Sequence, residues 1–170
     1  MAEKDAIKSV QEHIHHETRN NIVINLVLNA AIAYALMHSL TEISAWGEKG
    51  YGPDLLLTGF LLSTILGGIF IVMTRRKRDD GQLVPAGKDG QILTWLFPYR
   101  SWLAAPWMGV LGACLAVPPL LGILALFSVS TLSPLNYALI KGVWAGALAA
   151  VVVPIAIQQG LRSKPGARYP

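Results

Sequence analysis

Between Leu55 and Thr74 the chain carries twenty consecutive residues without a charge, and the next four are Arg75-Arg76-Lys77-Arg78. At a rise of about 1.5 Å per residue, a helix of that length crosses the ~30 Å hydrocarbon core of a bilayer. Lysine and arginine at the end of such a span are retained on the cytoplasmic side. One helix end is therefore fixed in space, and the remaining segments can be placed around it.

Composition supports a membrane setting. The chain has 170 residues, of which 53% are hydrophobic and 14% charged, against about 25% charged in soluble domains. The length suits one compact membrane unit without a separate soluble domain. The formal net charge of +4 sits at predicted helix ends. It reads as topology signal and contact with anionic head groups rather than a nucleic-acid face. Cys114 is the sole cysteine, which excludes a disulfide or a cysteine-based metal site within one chain. The expected partners are the lipid bilayer and either further copies of the chain or other membrane subunits. No cofactor is expected.

Met1 to Asn21 is polar, with Ile7, Val10 and Ile14 at helical spacing. This pattern predicts a short amphipathic helix lying on the inner membrane surface. A cleaved signal peptide is not expected, because the polar lead is long and the small residues Ala30–Ala35 fall inside an apolar run. The first crossing is placed at about Ile22–Leu40, the second at Leu55–Thr74, the third at about Pro106–Phe127 and the fourth at about Leu135–Ile157. Trp95, Phe97, Tyr99, Arg100 and Trp102 suggest an interfacial elbow before the third crossing.

The expected organisation is thus an all-α membrane protein, with four transmembrane helices as two hairpins of the same orientation and the N-terminal interfacial helix. Its segments are 1–21, the hairpin 22–78, the linker 79–102, the hairpin 103–162 and the tail 163–170. Lys4, Lys8, Arg19, Arg75–Arg78, Lys88, Arg100, Arg162, Lys164 and Arg168 fall on one side, and Lys49 on the other. Both termini are accordingly expected in the cytoplasm, with the protein in the cytoplasmic (inner) membrane of a bacterial-type cell.

Gly59, Ser63 and Gly67 recur every four residues in the second span, and Gly142, Gly146 and Ala150 do so in the fourth. Small residues at that spacing let another helix approach closely, and the matching positions suggest an internal duplication. Pro118-Pro119 and Pro154 are candidate hinges, since proline removes a backbone donor and crowds the preceding turn.

Lys141 is the one charge inside a predicted crossing. Its two readings are snorkelling or pairing with Asp54 or Glu48 near the outer mouth, and a role in passage of a solute or ion. Asn21, Asn25 and Asn29 line one side of the first span. They suit either a polar pathway or interhelical hydrogen bonds, with Ser63 and Thr64 as potential partners. His13, His16 and Glu17 share a helical face and are weak candidates for a divalent metal. No phosphate loop, nucleophile–base set or paired catalytic carboxylates can be placed. The expectation is a non-enzymatic accessory or assembly subunit associating through small-residue faces, the alternative being a permease-like component acting as an oligomer.

Overall fold

The computed structural model describes the backbone of residues 2–83 and 96–162, with side chains from Ser9 onward. The expectations for Ile7, Lys4, Lys8, Lys88, Trp95, Lys164 and Arg168 lie outside the described residues.

Four long helices make up the molecule: α1 (Ala2–Met37), α2 (Tyr51–Asp79), α3 (Ser101–Leu126) and α4 (Pro134–Leu161). All four contain a stretch long and apolar enough to cross a membrane. The separate interfacial helix expected at the N-terminus is not formed. Those residues are instead the first turns of α1, which runs unbroken for 36 residues. The physical reason is plain in the sequence: no glycine or proline occurs before Gly47, so nothing interrupts the hydrogen-bond ladder where polar turns give way to apolar ones.

The other helices carry recognisable ends. Pro53 and Asp54 occupy the start of α2, and Arg76, Lys77 and Arg78 its last turn, so the charges complement the helix dipole at both ends. In α4, Ser133 is the N-cap, its Oγ accepting from the Asn136 amide at 3.3 Å, and Pro134 follows it, an arrangement that fills the first turn's missing partners. Helix α3 continues through Pro106, Pro118 and Pro119.

Helix α4 is the centre of the bundle. Its apolar stretch is 61% buried, against 11% for α1 and 17% for α3. It packs along α1 on one side and α2 on the other, while α3 lies against α2. The lateral order is α1–α4–α2–α3. Helices α1 and α2 scarcely touch, and α3 meets α4 at few points. The pairs α1–α2 and α3–α4 therefore do not pack as the two hairpins expected from the chain order, whereas the consecutive helices α2 and α3 do pack. The small-residue faces explain this. A Cβ on Gly142 would sit 2.6 Å from Leu26 O and 2.8 Å from Ala30 Cβ, and one on Gly146 would lie 3.2 Å from Ile22 O. Those positions admit α1. A Cβ on Gly59 would lie 3.3 Å from Ala113 Cα, and one on Gly67 would meet Met108 at 2.8 Å, so that face admits α3. Helices α2 and α4 run parallel, Asp54 lying beside Tyr137 at one end and Thr74 beside Gly160 at the other.

Two short loops complete the end opposite Arg75–Arg78. Ile43–Ser44 (β1) and Thr131–Leu132 (β2) pair antiparallel, with Ile43 opposite Leu132. Both of those side chains are buried. Strands of two residues leave no alternating pattern, and the sequence gives no hint of them.

Candidate functional site

The chain concentrates its polar chemistry at the two ends of the central α2–α4 pair. At the loop end, Lys141 is only 3% exposed and Tyr137 is fully buried. Lys141 Nζ donates to Asp54 Oδ2 at 2.5 Å, and Tyr137 OH donates to the same oxygen. The Asp54 side chain is 23% exposed. Tyr51, whose ring centroid lies 6.2 Å from that of Tyr137, donates its hydroxyl to Val129 O at 2.8 Å. The lysine does not snorkel; it turns inward to a countercharge. A buried ammonium is tolerable only with such a partner. Asp54 was visible in the sequence as a potential partner, whereas Tyr137 was not singled out.

The asparagine stripe takes an arrangement different from both expected ones. Asn21, Asn25 and Asn29 each donate from Nδ2 to the carbonyl four residues earlier, at 2.9, 2.9 and 3.0 Å. The donors are used within α1. Ser63 and Thr64 do not meet them; both side chains face α3, opposite Gly112 and Gly109 respectively, where no Cβ could be fitted. Their hydroxyls are buried without a hydrogen-bond partner. Gly109 and Gly112 mark a close approach of α3 to α2, and their spacing of three residues falls outside the four-residue pattern read from the sequence.

At the opposite end, arginines hold the segment before α3. Arg75 Nη2 donates to Tyr99 O, and its guanidinium carbon lies 4.7 Å from the centre of the Tyr99 ring. Arg162 Nη1 donates to Phe97 O at 3.1 Å, and Gln159 Nε2 donates to Pro98 O at 2.8 Å. Arg78 Nη1 donates to Gly160 O at 3.1 Å and to Arg162 O, while Nη2 pairs with Asp79 at 2.7 Å. Arg75 and Arg78 thus have a structural task beside the topological one expected for Arg75–Arg78. Arg76 is exposed and Lys77 half-buried.

Near this end, His13 Nδ1 lies 3.8 Å from Glu17 Oε1, while Asn20 Nδ2 is 3.4 Å from His16 Nε2. His13 also lies in the field of Lys77, a poor neighbour for a metal cation. Among the described residues no three His, Cys, Asp or Glu side chains are grouped to hold an ion. Pro154 lies on the α4 side of a small gap against Ile14 and Thr18 of α1.

Between α3 and α4, where the helices diverge, a half-open apolar groove of about 490 Å³ runs from Trp144 and Pro119 to Leu96 and Phe97. Trp144 Nε1 bridges its upper end by donating to Ala116 O at 3.1 Å. Cys114 is exposed on α3 outside that lining.

No protein-family model, curated protein or solved structure matches this chain. Its class rests on its own features: a multi-pass, four-helix membrane protein by helix length and composition.

Proposed function

We propose that the chain is a non-enzymatic accessory or assembly subunit of a membrane complex, with both termini in the cytoplasm. The observation that carries this reading is the length of α1. Thr18 lies level with Gln158 of α4, and the helix continues to Ala2, about 24 Å further at 1.5 Å per residue. Val10 and Ile14 of this extension pack onto the chain's own core, whereas Gln11, His15, His16 and Arg19 are exposed. A rigid polar arm held against the body is suited to recognition by a cytoplasmic face of another subunit. The small-residue faces are occupied by α1 and α3, so association proceeds through other surfaces than those first expected. We further read the two halves as a duplicated unit. Asp54 and Tyr137, hydrogen-bonded to each other, are 83 residues apart, and the same separation relates Gly59 to Gly142 and Ala113 to Ala30, the residues they meet.

Affinity purification in mild detergent tests the subunit reading. A membrane partner is expected to travel with the native chain and to be lost from His15→Glu/Arg19→Glu, with helicity unchanged. The rival, a permease-like component, draws on the Asp54–Lys141 pair inside the spans. It predicts a solute or ion flux in reconstituted vesicles that the paired change Asp54→Asn/Lys141→Met abolishes. Such a flux, with no partner retained, overturns the subunit reading.

A further inference from the structure

We propose that the groove between α3 and α4 binds one anionic phospholipid, with an acyl chain in the groove and the phosphate at the arginine cluster. The walls are apolar on both sides, Met108, Leu111 and Leu115 facing Leu148, Val151 and Val152. From Trp144 to Ile155, α4 advances about 16 Å at 1.5 Å per residue. That is half the ~30 Å hydrocarbon core, so the groove is one leaflet deep and belongs to the leaflet on the side of Arg75–Arg78.

Charge selects the head group. Arg75 lies in the field of both Arg78 and Arg162, and the carboxylate among their described neighbours is that of Asp79. The carbonyl oxygen of Tyr99 accepts from Arg75. It satisfies a donor but does not neutralise the charge of Arg75. Arg75 Nε is buried with no partner. Arg100, exposed, begins α3, whose first turn has neither an acid nor a side-chain cap, leaving its dipole open to an anion. Groove and cluster are joined by one segment. Leu96 and Phe97 line the groove, and Phe97 O and Tyr99 O are the acceptors of Arg162 and Arg75. Trp102 and Trp107 are exposed beside it, at the depth of an interfacial belt.

The test uses the full chain in mild detergent, incubated with equal amounts of phosphatidylglycerol and phosphatidylcholine and read by native mass spectrometry. The expected result is retention of one phosphatidylglycerol with a preference of about tenfold, falling as salt is raised. Arg75→Gln/Arg100→Gln should bring the preference to near parity while lipid is still retained. Ala147 is an exposed groove residue, so Ala147→Phe should fill the space and strip both lipids with helicity unchanged. Equal retention of the two lipids by the native chain at low salt overturns the proposal. So does loss of the preference in excess inorganic phosphate with Ala147→Phe silent, which assigns the cluster to a free phosphate. A dimer mass that Ala147→Phe abolishes places a second copy in the groove and overturns it as well.

Discussion

The two ends of the α2–α4 pair handle charge in opposite ways. At the loop end a single lysine meets a single carboxylate, a tyrosine completes the hydrogen bonding, and Lys141 and Tyr137 are buried. At the arginine end several guanidiniums gather on backbone carbonyls, and Asp79, their carboxylate partner, is largely exposed. The first arrangement pairs one charge with one countercharge; the second, among the described residues, gathers guanidiniums on neutral acceptors. One end is therefore suited to hold helices together, and the other to meet an external anion.

The sharpest challenge to this contrast is Lys141→Ala. It leaves the Asp54 carboxylate beside Tyr137 without a countercharge, and a loss of about 3 kcal/mol is expected, the low end of the range for a broken buried pair because Asp54 is partly exposed. Asp54→Asn/Lys141→Met removes both charges, keeps an acceptor for the Tyr137 hydroxyl, and should recover most of that loss in denaturant unfolding in detergent. If the double change is as damaging as the single one, the loop end is not held by its balance of charge.

Gly112→Ala follows, with an expected cost of about 2 kcal/mol, because the added methyl would enter the space of Ser63. Gly122, which has open space around it, is the control; Gly122→Ala should be neutral or slightly stabilising by the same measurement. At the arginine end, Arg162→Gln should cost about 1.5 kcal/mol through the lost bond to Phe97 O. Protease cutting between α2 and α3 should quicken in this variant and not in Lys141→Ala. The mildest change is Tyr51→Phe, which deletes the bond to Val129 O and should lower stability by about 1 kcal/mol. A silent result there would mean that Ile43 and Leu132 close the loop end unaided.

Span length and composition made the four crossings readable in the sequence, since twenty uncharged residues before Arg75 leave few alternatives. The continuity of α1 was equally available, in the lack of glycine or proline before Gly47. It was missed because an apolar stripe such as Val10 and Ile14 fits a surface helix and a packed extension alike. Lateral order was less accessible. The two expected hairpins would pair α1 with α2 and α3 with α4, yet the glycine faces on α2 and α4 draw in α3 and α1 instead. The fate of Asn21, Asn25 and Asn29 depended on a choice of hydrogen-bond partner that spacing does not encode. The Asp54–Lys141 contact was foreseeable as a charge match, but the elbow's bonds to Arg75, Gln159 and Arg162 arise from residues far apart in the chain.

The placement of α1 against α4 sets a schedule for biogenesis. Ribosomes deliver the N-terminus first, so the earliest helix must wait in lipid until the last one has been inserted. Its asparagines are prepared for that interval, since each Nδ2 already donates one hydrogen bond to its own backbone. A chain stopped at Ser133 should therefore insert three helices stably while α1 stays uncommitted. A cysteine pair at Thr18 and Gln158, which line the gap between α1 and α4, should be bridged by a bifunctional thiol reagent after completion of the full chain and never before.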